Sequence, residues 1–231
     1  MPVWSEPDGL RVAFRSNREG DDAIWWQNAN GTGTAERLTK AETGSFHVPQ
    51  SWSRDGKYLS YSVVKGSGPA VWILSLADKK SALFSDNASN AAFSPDGQWL
   101  AYQSRETGLG QIFVQPFPAT GAKFPVVPGG QPFWSHDGRE LFYNPAPQQI
   151  GVVGITTRPT FSFGEPFTFA TAGLQSRAPQ NSPRVWDIAP DRKRLIGVTD
   201  VMESATEGAT PQIEVVLNWF TDLRARVPMR E

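Results

Sequence analysis

The chain contains no cysteine among its 231 residues. Thiol catalysis, disulfide stapling and thiolate metal sites are therefore excluded, while the compartment stays open. Only two histidines occur, His47 and His136, which leaves little scope for imidazole acid–base chemistry. An excess of charge of one sign is also lacking. The 22 Lys and Arg against 23 Asp and Glu leave a net of −1, without the basic surplus by which a protein grips nucleic-acid phosphates. No apolar run approaches the ~20 residues needed to cross a bilayer. The opening Met1-Pro2-Val3-Trp4-Ser5 has neither the basic nor the apolar region of a secretory signal. For a protein working in the periplasm or elsewhere outside the cytoplasm, targeting would have to come from a part of a larger exported or membrane protein.

What is present is a turn-rich and aromatic-rich composition, with 21 Gly, 19 Pro, 14 Phe and 9 Trp. Apolar residues at 39% supply enough material for a core and exclude a disordered chain.

Self-similarity organises the rest. Trp4-Ser5-Glu6-Pro7-Asp8-Gly9, Trp52-Ser53-Arg54-Asp55-Gly56, Phe93-Ser94-Pro95-Asp96-Gly97 and Trp134-Ser135-His136-Asp137-Gly138 share one pattern, and Ile188-Ala189-Pro190-Asp191-Arg192 is a degenerate fifth copy. Successive aspartates Asp8, Asp55, Asp96, Asp137 and Asp191 stand 47, 41, 41 and 54 residues apart. A period near 40–45 residues is that of a propeller blade. Asp-Gly between apolar runs reverses the chain, because Gly accepts positive φ and Asp bonds nearby amides. The preceding Ser can offer its hydroxyl to the same turn.

Strand-like runs follow each turn, among them Tyr58-Leu59-Ser60-Tyr61, then Val71-Trp72-Ile73-Leu74, then a weaker Ala82-Leu83-Phe84. Four short strands per repeat define an antiparallel blade. The expected fold is all-β: a β-propeller of about five four-stranded antiparallel blades, the last with or without its full set of strands. The blades are expected over residues 1–40, 46–85, 88–128, 130–170 and 184–220 of a single domain. Asn218 caps an expected short C-terminal helix over 218–227, stopped by Pro228.

The stretch Phe93-Ser94-Pro95-Asp96-Gly97-Gln98-Trp99-Leu100-Ala101-Tyr102 resembles the TolB-type, WD-repeat-like β-propeller repeat of bacterial proteins. The loops Ser16-Asn17-Arg18-Glu19-Gly20 and Ser104-Arg105-Glu106-Thr107-Gly108 look like that family's Ser-Asn-Arg-x-Gly element. The fifth copy departs from the pattern, with Arg192 for Gly and its Trp two residues early as Trp186. The tail Glu214-Val215-Val216-Leu217-Asn218-Trp219-Phe220 looks, more loosely, like the end of large bacterial proteins that join such repeats to a kinase or winged-helix domain. The resemblance implies a propeller scaffold, and a chain that is the C-terminal part of a larger protein or a minimal five-bladed ring.

Catalytic signatures are missing. No Gly-x-Ser-x-Gly elbow, His-Glu-x-x-His motif or phosphate-binding Gly-x-x-x-x-Gly-Lys occurs, nor a kinase His-Arg-Asp or Asp-Phe-Gly. The once-per-blade aspartates read as turn chemistry, so Asp55, Gly56, Asp96, Gly97, Asp137 and Gly138 are structural. Asp21-Asp22 is a solvated loop pair or, failing that, a weak cation site without the alternating oxygen ligands calcium needs. Trp52, Phe93 and Trp134 are expected to pack between blades.

Binding is expected where the scaffold is not repeated: the blade-to-blade connections and the loops between second and third strands. His47, Asn90, Gln131 and Arg184 stand before expected inner strands, and Arg18 and Arg105 occupy equivalent loops. Each arginine either braces its own blade or presents charge to an anionic partner. The mixed charge favours a protein or peptide partner, with a small-molecule ligand as an alternative; no cofactor, metal, nucleic acid or membrane segment is expected. Two function classes remain. One is a non-catalytic sensor or interaction module; the other is an accessory or gating propeller of a peptidase or other hydrolase, with the repeat region of a bacterial serine/threonine kinase as a further variant.

Overall fold

The corner is a closed hydrogen-bonded unit in four copies, three of them Ser-x-Asp-Gly and the first, from Ser5 to Gly9, one residue longer. In the computed structural model, which describes residues 2–170, 186–189 and 195–197, Ser53 Oγ donates to Asp55 Oδ1 at 2.6 Å and accepts the Tyr58 amide at 2.9 Å. Asp55 in turn accepts the Lys57 amide, and the Gly56 amide donates to the Ser53 carbonyl at 2.9 Å. The same bonds recur around Ser5 and Asp8, Ser94 and Asp96, and Ser135 and Asp137. All four serines are buried, so the hydroxyl that closes the corner is shielded from competing water. Gly56, Gly97 and Gly138 have φ near +70°, the left-handed conformation that a side chain resists.

Between the corners the apolar runs form antiparallel meanders. The first sheet holds β1 (Val3–Trp4), β2 (Arg11–Ser16), β3 (Ala23–Asn28) and β4 (Glu36–Arg37). The second holds β5 (Phe46–Trp52), β6 (Tyr58–Lys65), β7 (Gly68–Ser75) and β8 (Ser81–Ser85). The third holds β9 (Ala88–Phe93), β10 (Trp99–Ser104), β11 (Gln111–Pro116) and β12 (Phe124–Pro128). Each runs in sequence order, as an all-β propeller blade requires.

The fourth sheet carries one strand more than the repeat leads one to expect. It comprises β13 (Gly130–Trp134), β14 (Glu140–Asn144), β15 (Gln149–Thr156), β16 (Ser162–Phe163) and β17 (Phe167–Ala170). The long β15 pairs β16 at its end and β17 at its start. The extra strand comes with Phe161, whose ring lies 4.5 Å from that of Phe124 and 5.1 Å from that of Trp99, both in the third sheet. A final pair, β18 (Trp186–Ile188) and β19 (Leu195–Gly197), is antiparallel. The expected helix over 218–227, the Asp191-Arg192 corner and Arg184 lie outside the described residues.

The core is distributed over the seams between blades. Ala13, Ile24 and Leu38 of the first blade and its connection pack on Trp52, Leu59, Tyr61 and Leu74 of the second. Val71 and Ile73 meet Ala91, Phe93, Leu100 and Tyr102 across the next seam. Ile112, Val114 and Val127 meet Trp134, Leu141 and Val153 across the third, and Phe142 and Ile150 meet Trp186 and Ile188 across the fourth. Alternating strands thus bury both faces of each sheet, which a single meander could not do alone.

Candidate functional site

The inner strands β5, β9 and β13 share an irregularity that positions polar side chains. Their registers slip at Gln50, at Asn90–Ala91 and at Gln131–Pro132. Opposite the slips stand Tyr61, Tyr102 and Tyr143, all buried. Gln50 Nε2 donates to Ser62 Oγ at 2.6 Å, Asn90 Nδ2 to Gln103 Oε1 at 3.2 Å, and Asn144 Nδ2 to Gln131 Oε1 at 2.6 Å. Each bond ties a bulged inner strand to the second strand of its own blade. Gln50 Oε1 also accepts the Ala91 amide of the next blade at 2.7 Å. Asn90 and Gln131 therefore sit within β9 and β13, one strand start earlier than their sequence placement, and both have positive φ as bulge residues do.

Arg18 braces its own blade. Its guanidinium bonds Ser16 Oγ at 3.1 Å and lies 4.8 Å from the centre of the Trp25 ring. Arg105 differs: its backbone amide bonds Asn87, while its exposed side chain stays clear of neighbours. His136 is exposed in its corner.

The Asp21-Asp22 pair is spent on arginines. Asp22 takes the Arg15 Nε at 2.9 Å. Asp21 pairs with Arg37, which also bonds Glu19 at 2.8 Å and the Thr39 carbonyl at 2.7 Å. The Ala41 amide donates to Asp21 at 2.7 Å, and this bond, with the Arg37 guanidinium, holds the carboxyl below its ordinary range. That knot pins the connection 38–45 between the first and second blades.

Beneath this connection a cleft of about 570 Å³ opens in the seam between blades one and two. Arg37, Lys40, Glu42, Lys65 and Lys79 give it charge, and Trp72 and Tyr61 give it aromatic surface. Lys65 pairs with Glu42 at 2.6 Å, which keeps that carboxyl low, and Lys79 pairs with Glu36. His47 is the second residue of β5 rather than a loop residue ahead of it, and it forms part of the cleft wall. Its amide bonds the Asp22 carbonyl at 2.9 Å, its Nδ1 stands 2.8 Å from Thr39 Oγ1, and its ring leans on Tyr61. Only 6% of it is exposed, and burial pushes its pKa down to about 4, against the upward pull of Asp21 and Glu42. The ring is neutral at pH 7. Burial likewise raises the Tyr61 hydroxyl.

Of the described residues singled out in sequence for binding, only His47 lies in this cleft. Arg37, Lys40, Lys65 and Lys79 were missed because they come from four separate turns and strands. No local pattern marks them. Among the described residues no three or more acidic, histidine or cysteine side chains converge as metal ligands, and no helix is long and apolar enough to cross a membrane.

No family model matches the chain. A stretch of 82 residues is 32% identical to the Tol-Pal system protein TolB of Desulfosudis oleivorans, covering 36% of this chain and 18% of that protein. The crystal structure of TolB from Acinetobacter baumannii superposes with a TM-score of 0.65 at 20% identity, over 84% of this chain. The chain has the TolB-type β-propeller fold. A putative TolB from Agrobacterium tumefaciens gives a TM-score of 0.57 at 19% identity, over 78% of this chain and 68% of that one. This TolB-type chain spans about half of the Acinetobacter structure, 47%, and a fifth or less of the Desulfosudis protein. The same propeller likeness extends to prolyl endopeptidases, with a TM-score of 0.53 at 13% identity over 36% of their chain.

Proposed function

We propose that this propeller is a non-catalytic scaffold that binds a protein or peptide at the end bearing its blade-to-blade connections. The observation that carries the reading is the contrast between its two ends. At the corner end the same Ser, Asp and Gly bonds recur in blade after blade, so chemistry there is used up by the fold. At the connecting end lie Lys40, Glu42, Lys65 and the exposed Arg105, and the cleft runs from there along the seam toward the β7–β8 turn. The one imidazole among the described cleft residues is held neutral by burial, and its Nδ1 is engaged by a Thr39 hydroxyl that also takes the Ile24 amide. The name of the Desulfosudis relative, a component of the Tol-Pal system, supports membership of a multiprotein assembly.

The second reading is a gating propeller of a hydrolase, supported by the fold likeness to prolyl endopeptidases. Site-directed photocrosslinking in the native host separates the ends. A benzophenone side chain in place of Lys40 or Arg105 is expected to capture a discrete protein, and one at Lys57 or His136 is not. Capture from the corner end alone would overturn the assignment; a captured α/β-hydrolase subunit would favour the gating reading.

A further inference from the structure

The cleft between blades one and two is lined by a histidine of which one ring nitrogen is engaged by the protein. Thr39 Oγ1 accepts the Ile24 amide at 2.9 Å and stands 2.8 Å from His47 Nδ1. A hydroxyl has one hydrogen to give, and Nδ1 is the acceptor within reach of this one. With Thr39 donating to Nδ1, the neutral ring holds its proton on Nε2, the tautomer on which the proposal below rests. Among the described residues Nε2 has no hydrogen-bond partner, and since it is not closed off from solvent it is open to a ligand on the cleft wall.

Charge in the cleft is unevenly compensated. Arg37 is matched by Glu19 and Asp21, Lys65 by Glu42, and Lys79 by Glu36. Lys40 also lines the cleft, is exposed and has no carboxylate partner among the described residues. The Lys65–Glu42 pair is solvent-exposed, with side chains 45% and 77% accessible, so an incoming carboxylate can compete with Glu42 for the ammonium. A guanidinium fork would suit phosphate, but that of Arg37 is already committed to two carboxylates and the Thr39 carbonyl.

We propose that this cleft binds a carboxylate carried by a peptide, either an acidic side chain or a free C-terminus, with one oxygen on the His47 Nε2–H and its charge balanced by Lys40. Trp72 and Tyr61 flank the site with aromatic surface. The volume of about 570 Å³ suits one or two residues of a peptide, within the range of ordinary ligand pockets. The proposal deepens the scaffold reading by naming the chemistry its cleft selects.

The two histidines make the test direct, because exposed His136 serves as an internal reference for buried His47. In the full chain labelled with 15N-histidine, the His47 ring is expected to show the Nε2–H tautomer. Titration with acetyl-Ala-Glu-Ala-amide and with acetyl-Ala-Ala carrying a free carboxyl terminus should shift His47 Nε2 saturably and leave His136 unmoved. The glutamine counterpart, acetyl-Ala-Gln-Ala-amide, should do neither. Lys40→Ala is expected to weaken the acid peptides at least fivefold at an unchanged melting temperature, and His47→Phe to abolish the response. An Nδ1–H tautomer, an equal response to the glutamine peptide, a response to inorganic phosphate alone, or none at tens of millimolar would each overturn the proposal. Because these probes need no partner, their failure leaves crosslinking from Lys40 to judge the scaffold reading separately.

Discussion

The Trp134 indole donates to the Ala92 carbonyl at 3.1 Å, crossing the seam from the fourth blade to the third. Trp52 makes the same bond to the Val3 carbonyl of the first blade at 3.2 Å. The third blade has Phe93 at this place and no indole to give. There the corresponding carbonyl, that of Ser51, takes the Ser60 hydroxyl at 3.1 Å instead. Trp186, two residues early in its copy, reaches Asn144 Oδ1 at 3.0 Å. The seams are thus apolar in bulk and pinned by a few hydrogen bonds, the second–third one through Ala91 N to Gln50 Oε1 and Phe93 N to Ser51 Oγ.

Trp134→Phe keeps most of the ring and removes that donor. The part-buried Ala92 carbonyl then loses the indole's hydrogen bond, and stability should fall by about 1 kcal/mol. Urea unfolding with an unchanged midpoint would show that the bond contributes nothing.

Two corner glycines with the same φ of +69° should respond differently to alanine. At Gly97 a Cβ meets nothing within 4 Å, so Gly97→Ala costs only the backbone strain, about 1 kcal/mol. At Gly56 a Cβ would stand 2.8 Å from the Glu6 carbonyl oxygen of the first blade, so Gly56→Ala must also displace a neighbouring corner. Its melting temperature should fall further than that of Gly97→Ala. Equal losses would mean that the corners do not press on one another.

His47 makes the protein acid-sensitive in a defined window. Its folded pKa of about 4 lies below the ordinary 6.5, so the unfolded chain binds the extra proton between those values. Stability contributed by the neutral ring is complete above pH 6.5, declines as pH falls through the window, and levels off below about 4. The full difference is at most about 3 kcal/mol. Denaturant titrations of the wild type and His47→Gln should converge as the pH is lowered from 7 to 4. Curves that stay parallel would place the imidazole in water.

Phe161 fastens the β15–β16 excursion of the fourth blade to Trp99 and Phe124 of the third. Phe161→Ala removes that contact from a partly buried position, and a loss of about 1–3 kcal/mol is expected. Proteolysis between residues 157 and 165 should accelerate in the variant. An unchanged rate would show that β16 is held by its backbone pairing alone.

The blade architecture was legible because it is written locally and repeatedly. The Ser, the Asp and the Gly of each corner bond to groups within six residues of one another, so a four-fold recurrence of those letters announces the same turn four times. Trp52 and Trp134 were legible as seam residues for the same reason. The extra strand β16 was not, because Phe161 is placed by rings nearly forty and more than sixty residues earlier in the chain. Asn90 and Gln131 stood out as non-repeating letters. In space they join the same kind of inner-strand to second-strand bond as Gln50, and it is the partners Ser62, Gln103 and Asn144 that vary.

Local bonding and periodicity suffice to specify the corners, the meanders and the all-β class, since every contact involved is short-range along the chain. The cleft is a different kind of object. Its wall joins Thr39 and Lys40 on a connection, His47, Tyr61 and Lys65 on neighbouring strands and Lys79 in a turn, and this arrangement exists only once two blades are packed together. Whether a histidine is a solvated loop residue or a neutral buried donor depends on desolvation by a neighbouring blade, a property of the packed seam rather than of any run of letters.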